Sequence, residues 1–167
     1  MIHIQPYTAR YQEQVIALIL HIQQVEYRVP VTLADQPDLL SIESVYQSGK
    51  GNFWVALTAA GEVAGTIALL DTGQRFITIR KMFVKAEYRG RQWGTASLLY
   101  EQLETWAIQH GFESLWLGTF DRLHAALRFY EKKGFRPVEK DQLPEGFPLM
   151  AVDNRFFAKQ LSALGTE

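Results

Sequence analysis

The residues whose types and spacing best fit chemistry lie in the segment Arg89–Thr95, which reads Arg-Gly-Arg-Gln-Trp-Gly-Thr. The apolar run Met82–Val84 comes shortly before it, and a helical pattern follows from about Gly94. Amides of a turn and of a first helical turn have no acceptors inside the helix, and they lie at the positive end of its dipole. Such a turn binds a diphosphate through its main chain. The segment therefore predicts a site for a diphosphate-containing ligand.

Basic residues are concentrated around this turn, although the whole chain has a formal net charge of −1. Between positions 80 and 91 the only acid is Glu87, and the basic residues are Arg80, Lys81, Lys85, Arg89 and Arg91. This concentration favours a small polyanion over a long one, and the lack of an overall basic excess argues against nucleic-acid binding. A solvated basic edge is the alternative interpretation of the same charges.

The length of 167 residues suits one domain, which we expect to span residues 1–167. A composition of 47% hydrophobic and 21% charged residues is typical of a globular protein. The chain has no Cys, which excludes disulfides and a cysteine nucleophile, and its four His residues are too scattered to predict a metal site. Its apolar runs are too short to cross a bilayer and Met1–Pro6 contains no secretory leader, so we expect a cytoplasmic protein that does not bind membranes.

Hydrophobic patterning divides the chain into strands and helices. The candidate strands are Ile2–Gln5, Phe53–Thr58, Val63–Leu70, Phe76–Val84, Leu115–Thr119, Phe135–Val138 and Leu149–Phe157. Helical patterns begin after Thr8, Asp35 and Asp121 and at about Gly94. The helix between Phe76–Val84 and the following strand makes those two strands parallel neighbours. We therefore predict an α/β (α+β) fold with a mixed, mostly antiparallel sheet of six to seven strands flanked by about four helices.

A second informative segment, Ala126–Phe135, contains the run Phe-Tyr-Glu-Lys-Lys-Gly-Phe. Together with the order of the predicted strands and helices, these two segments resemble the GNAT superfamily of acyl-CoA-dependent N-acyltransferases. The resemblance extends from the first predicted strand to the last. The family signature Arg/Gln-x-x-Gly-x-Gly/Ala falls on Arg89–Gly94, where Gln92 replaces the middle Gly. A left-handed backbone there would be costly for Gln. Family members often carry Asn where Leu123 stands, three residues before the start of the second segment.

The resemblance implies acetyl-CoA as a co-substrate and no metal. Main-chain amides of the turn would hold the pyrophosphate, with added charge from the two arginine side chains. The fourth and fifth strands would separate after Val84, and the pantetheine arm would pair with the free edge of the fourth strand. The cofactor-binding residues predicted in this way are Met82, Phe83, Val84, Arg89, Gly90, Arg91, Gln92, Trp93, Gly94, Thr95 and Phe129.

Tyr130 is the catalytic residue that the resemblance implies, as the acid near the leaving sulfur. A tyrosine with a pKa of about 10 is a weaker acid than a thiol at about 8.5, so full proton transfer is uphill by about 2 kcal/mol. We therefore expect Tyr130 to donate a hydrogen bond as the thiolate forms. Helical periodicity by itself favours a different role, a core position that continues the apolar face of Leu123, Ala126 and Leu127.

The sequence does not identify a general base. Some relatives carry Glu at the strand position that Thr78 occupies here, and Thr cannot act as a base. Glu26, Glu43 and Asp71 are candidates, although each also fits a surface or capping role. The need for a base depends on the acceptor, because deprotonating a lysine-like amine at pH 7 costs roughly 4–5 kcal/mol and an α-amine about 1 kcal/mol.

Arg80 is the predicted substrate-binding residue. On a strand it shares a face with Thr78 and Met82. A guanidinium that faces the cleft would favour an acceptor carrying a carboxylate or a phosphate. A structural arginine held in a salt bridge is the alternative.

Together these residues predict an N-acetyltransferase that moves an acetyl group from acetyl-CoA to a primary amine of a small molecule or peptide. Direct attack in a ternary complex is expected, since no Cys is present to carry the acyl group. A non-catalytic acyl-CoA-binding sensor or regulatory module is the alternative, which the departures at Gln92 and Leu123 leave open. The chain lacks the Gly-Lys-Ser/Thr ending of a nucleotide-binding phosphate loop. Edge strands and the segment Leu149–Phe157 are compatible with a homodimer.

Overall fold

The computed structural model describes residues 1–161, which contain a seven-stranded sheet in the order β1-β2-β3-β4-β5-β7-β6. The strands are β1 (His3–Pro6), β2 (Asn52–Leu57), β3 (Val63–Leu70), β4 (Phe76–Val84), β5 (Ser114–Thr119), β6 (Arg136–Val138) and β7 (Arg155–Gln160). The α-helices are α1 (Gln12–Leu20), α2 (Ile42–Val45), α3 (Thr95–Gln109) and α4 (His124–Lys132). The predicted mixed, mostly antiparallel α/β fold is confirmed, because among the strands of residues 1–161 only β4 and β5 pair in parallel.

The sheet has apolar layers on both faces because its central strands are apolar throughout. Every residue of β2 is buried, and successive side chains point to opposite faces. Trp54 packs in the layer with Leu99 and Leu103 of α3, whereas Phe53 packs in the layer with Ile19 of α1. Strands covered on both faces show such continuous apolar runs. The two layers pack on β4 and its neighbouring strands from both faces.

The parallel pair of β4 and β5 separates earlier than the sequence predicts. Pairing is limited to Phe76–Thr78 of β4 against Ser114–Trp116 of β5. The predicted separation after Val84 is therefore wrong, and the gap opens beyond Thr78. The consequence is a cleft that runs along most of the second half of β4.

A β-bulge in β4 lies beside this separation. Ala68 pairs with Arg80 and Thr66 with Phe83, so β4 has one residue more than β3 over this stretch. Lys81 takes up the extra length with a φ of 57°, a left-handed value that is uncommon outside glycine. Its carbonyl accepts a hydrogen bond from Oγ1 of Thr66 at 2.7 Å. The bulge interrupts the simple alternation from which the common face of Arg80 and its neighbours was predicted.

Three predicted elements have different bounds in the structure. The first helix continues from α1 into a π-helical segment, His21–Glu26, and the second is reduced to a 3-10 turn, Pro37–Leu40, followed by the short α2. Asp121 does not cap α4, because the N-cap residue of this helix is Leu123 and no side chain caps it. The predicted strand Leu149–Phe157 starts six residues late, at the beginning of β7, and residues 149–154 form a loop instead.

Candidate active site

A cleft of about 450 Å³ lies where β4 and β5 separate. Its walls come from both strands, from α4, from residues that follow the π-helical segment and from the loop before β7. Residues that line the cleft include Gln36, Arg80, Lys81, Met82, Phe83, Gly118, Leu123, Ala126, Tyr130, Met150 and Asp153. The structure thus brings together four of the predicted site residues, Arg80, Met82, Phe83 and Tyr130. Val84, the turn at residues 89–95 and Phe129 do not line this cavity.

Tyr130 reaches the cleft from α4 while most of its ring is packed in the core. The residue is only 4% exposed, and its ring meets those of Phe129 and Phe135 edge to face at 5.5 and 5.3 Å. Burial raises the pKa of Tyr130 above its ordinary value, because the phenolate is disfavoured in an apolar environment. The ring is a core residue, as helical periodicity predicts, and the residue also lines the cleft, while its catalytic role stays a prediction. The hydroxyl stays protonated at neutral pH and is suited to donate a hydrogen bond.

The predicted diphosphate turn has the backbone geometry that its glycines allow. Gly90 and Gly94 have φ values of 100° and 65°, whereas Gln92 is not in the left-handed region. The replacement of the middle family glycine by Gln92 therefore introduces no backbone strain. Helix α3 begins directly after Gly94, as expected.

The main-chain hydrogen bonds of the turn divide its amides into two sets. The carbonyl of Gly90 accepts from the amides of Trp93 at 3.2 Å and Gly94 at 3.1 Å. Within the described residues the amides of Arg91, Gln92 and Thr95 have no main-chain acceptor, and the helical ladder starts with Leu98 donating to Gly94 at 3.0 Å. Free amides next to a helix N-terminus are suited to an anion.

Side chains hold this turn against the end of β4. Nε of Arg89 donates to the carbonyl of Val84 at 2.8 Å, and its Nη2 contacts Oε1 of Glu26 at 2.6 Å. Oγ1 of Thr95 donates to the carbonyl of Tyr88 at 2.9 Å. The guanidinium of Arg89 thereby connects the turn to β4 and to the π-helical segment.

Trp93 and Phe129 do not line the cleft. The ring of Trp93 packs edge to face on that of Tyr88 at 4.9 Å, which places it on the turn itself. Phe129 is partly buried against Tyr100, with the ammonium of Lys133 at 5.5 Å from its ring centre. Its contacts support the position of α4, from which its neighbour Tyr130 reaches the cleft.

Arg80 lies in the wall of the cleft and has no ion-pair partner among residues 1–161. Its Nη2 contacts Sδ of Met150 at 3.2 Å, and thioether sulfur is only a weak acceptor. The alternative of a salt-bridged structural arginine is therefore wrong within the described chain. The next residue behaves differently, since Nζ of Lys81 is buried and bonds to Oε1 of Gln36 at 2.6 Å and faces Asp38 at 3.4 Å.

The three acids considered as bases do not line the cleft. Glu26 is paired with Arg89, and Asp71 accepts hydrogen bonds from the amides of Lys50 and Gly73. Glu43 is exposed on α2. All three are therefore surface or supporting acids in the structure.

Asp153 is the acid that the sequence interpretation missed. It lies in the loop before β7, lines the cleft, and has a pKa raised to about 6 by burial, although the nearby Arg80 opposes the shift. No sequence pattern distinguishes it from the other acids, because its approach to β5 depends on tertiary structure.

Within residues 1–161 no cluster of three His, Asp or Glu side chains is arranged to hold a metal ion. None of the described helices is long and apolar enough to cross a bilayer.

Comparison with known proteins defines the class. The profile of the acetyltransferase (GNAT) family matches residues 16–135, and the chain belongs to this family. A GNAT-family acetyltransferase from Staphylococcus aureus Mu50 superposes with a TM-score of 0.92 at 33% identity, over 97% of this chain and 100% of that one.

Two further comparisons are more distant. N-acetylaspartate synthetase from Homo sapiens is 30% identical over 124 residues, which are 72% of this chain and 40% of that protein. The chain therefore spans well under half of the length of that curated relative. PaiA N-acetyltransferase from Thermoplasma acidophilum, solved in complex with coenzyme A, shares the fold with a TM-score of 0.73 at 16% identity, over 96% of this chain and 99% of that one.

Proposed function

We propose that this chain transfers an acetyl group from acetyl-CoA to a primary amine on a small acceptor that also carries an anionic group. We infer the class of acceptor from Arg80, whose guanidinium lies in the cleft wall and has no ion pair in the described chain. A planar guanidinium binds a carboxylate or a phosphate through two parallel hydrogen bonds. The name of the human relative supports this class, since N-acetylaspartate is an acetylated amine that carries carboxylates.

The cofactor proposal rests on the turn and on β4. The free amides of the exposed residues Arg91 and Gln92 are suited to the pyrophosphate, and Arg91 adds an exposed positive charge. The amide of Thr95 also has no main-chain acceptor in the described chain, but this residue is buried. Arg89 acts mainly by holding the turn, through its bonds to Val84 and Glu26. Coenzyme A in the distant PaiA structure supports the choice of ligand.

The edge of β4 that faces the gap is the proposed place for the pantetheine arm. This edge has lost β5 as a partner beyond Thr78, and Met82 and Phe83 line the cleft there. An extended arm pairs with a free strand edge in the same way as an added β-strand. The thioester would then lie toward Tyr130, whose hydroxyl donates a hydrogen bond to the sulfur as the C–S bond breaks.

Direct attack of the amine on the thioester is the proposed mechanism. The chain contains no Cys, so no cysteine accepts the acetyl group first. Both substrates would occupy one cleft, with the thioester near Tyr130 and the acceptor near Arg80.

A panel of amines tests the proposal through the release of free CoA thiol. It contains acidic and neutral amino acids, polyamines, aminoglycosides and peptides with free N-termini, each with acetyl-CoA and purified protein. We expect turnover to be fastest with amino acids and other amines that carry a carboxylate. Tight acetyl-CoA binding without turnover of any amine would contradict the enzyme and favour the sensor. Preferred turnover of polyamines would retain the enzyme and refute the anionic acceptor.

A further inference from the structure

We propose that Asp153 is the general base of the reaction and accepts the proton of the acceptor's ammonium group. This inference rests on the proposed function and adds to it a catalytic residue and a preferred acceptor, an α-amino acid or similar aminocarboxylate.

The main chain around Asp153 is held from two directions. The amide of Asn154 donates to the carbonyl of Thr119 on β5 at 2.9 Å, and Oδ1 of Asn154 accepts from the amide of Asp121 at 3.0 Å. On the other side the amide of Asp153 donates to the carbonyl of Met150 at 3.2 Å. These bonds fix the main-chain position of Asp153, although the residue lies in a loop.

Gly118 makes room for the carboxylate on the surface of β5. A Cβ at position 118 would collide with Oδ2 of Asp153 and would lie only 2.9 Å from its Cγ. Gly118 lines the same cleft, between Leu117 and Thr119. Any larger residue at position 118 would displace the carboxylate, so the absence of a side chain there is part of the site.

The carboxylate of Asp153 is charged but unpaired in the described chain. Arg80 of β4 is near enough to lower the pKa of this carboxyl, and Glu139, Lys140 and Arg155 line an adjoining polar pocket that Asp153 also lines. None of these groups forms an ion pair with Asp153 within residues 1–161, and its carboxylate accepts no hydrogen bond from them. A partly buried carboxylate without a protein partner is available to a substrate.

Arg80 and Asp153 are complementary to the two ends of an amino acid. Both residues bond to Met150, the guanidinium of Arg80 to its sulfur and the main-chain amide of Asp153 to its carbonyl. The guanidinium also lies close enough to lower the pKa of the Asp153 carboxyl. Arg80 would bind the carboxylate of the acceptor and Asp153 its ammonium group. A pKa of about 6 lets Asp153 remain ionised at neutral pH and yet accept a proton.

The proton balance follows from this placement. The ammonium gives one proton to Asp153, which releases it to solvent. The neutral nitrogen then attacks the thioester carbon, so that an N–C bond forms and the C–S bond breaks. The nitrogen loses its second proton, and the departing sulfur takes up one proton with the help of Tyr130. The products are an amide, free CoA and one proton in solution.

Asp153→Asn tests the base with the preferred acceptor of the amine panel. We expect kcat to fall on the order of a hundredfold, the general-base contribution, with acetyl-CoA affinity unchanged in calorimetry. Asp153→Glu should recover part of the rate. Asp121→Asn is the matched control, since that carboxylate is exposed and nearby, and it should behave as the wild type.

The pH profile separates a base from a structural residue. Wild-type kcat/KM should fall as pH decreases through about 6, and Asp153→Asn should lack this limb. An Asp153→Asn variant with the wild-type kcat and the same acidic limb would overturn the role of Asp153 and leave the proposed function intact. A wild-type protein that acetylates no amine would overturn both.

Discussion

At the scale of single residues, Arg80 and Asp153 are charged groups of opposite sign in the cleft, and neither has an ion-pair partner in the described chain. Within residues 1–161 the guanidinium of Arg80 bonds to a sulfur, and burial raises the pKa of Asp153 despite the nearby guanidinium. Unpaired charges in a partly buried cleft are unfavourable for folding unless a ligand uses them. Both residues therefore have a cost in stability that can be measured without any substrate.

Asp153→Asn should stabilise the protein at neutral pH. Because the folded pKa is raised to about 6 from 3.8, the ionised carboxylate destabilises the fold fully above about pH 6. The penalty decreases as pH falls through 6 and is absent below about 4. We expect a gain on the order of 1–2 kcal/mol at pH 7.5 after solvent screening, and almost none at pH 4. Urea unfolding at both pH values measures it, and an equal effect at both would contradict the assignment.

Tyr130→Phe isolates the hydroxyl, because the ring contacts with Phe129 and Phe135 remain. A hydrogen bond to a developing thiolate contributes about 1.5–3 kcal/mol, so we expect kcat to fall about 10- to 100-fold. Acetyl-CoA affinity should change little, since the bond forms only as the sulfur departs. An unchanged kcat would remove Tyr130 from the mechanism.

At the scale of elements, the bulge in β4 and the turn before α3 position the two halves of the site. Apolar patterning predicts the strands and the parallel pair, because those depend on periodicity and on one crossover helix. The sequence gives no sign of the bulge at Lys81, because a Lys within a strand pattern does not indicate a left-handed φ, which here depends on tertiary partners. Residues 149–154 form a loop although their apolar pattern predicts a strand, because several of these apolar residues line the cleft instead of pairing in the sheet.

Lys81→Met tests the support of the bulge. The side chain of Lys81 is only 7% exposed, and the loss of its ammonium leaves Asp38 without its cationic partner. We expect a destabilisation of about 3 kcal/mol in urea unfolding. Lys85→Met removes a more exposed pair with Glu62 at 2.7 Å and should cost less than about 1 kcal/mol. Equal costs for both variants would show that the buried pair is not a main support.

Gly94→Glu tests the diphosphate turn, and Gly73→Glu is its matched control. Both glycines have positive φ, 65° and 82°, and open space where a Cβ would go, so the backbone strain is similar. Only position 94 would set a carboxylate beside the free amides. Calorimetry should show acetyl-CoA binding abolished in Gly94→Glu and retained in Gly73→Glu. Retained affinity in both variants would refute the location of the site.

At the scale of the whole molecule, the family and the sheet could be predicted from two short motifs and the order of elements. The position of the Asp153 carboxylate could not be predicted from the sequence, because Gly118 and Asp153 are 35 positions apart and meet only in the folded chain. The missing ion pair of Arg80 is likewise visible only in the structure. The homodimer stays a prediction, which light scattering of the purified protein would test.

The central claim is an anionic amine acceptor bound by Arg80. Its most direct test compares kcat/KM for the best amino acid of the panel with kcat/KM for the same compound as its carboxamide, in the wild type and in Arg80→Gln. We predict that the wild type prefers the carboxylate at least tenfold, the effect of about 1.4 kcal/mol from one charged contact, and that Arg80→Gln loses the preference. Equal kcat/KM for both compounds in the wild type would contradict the account.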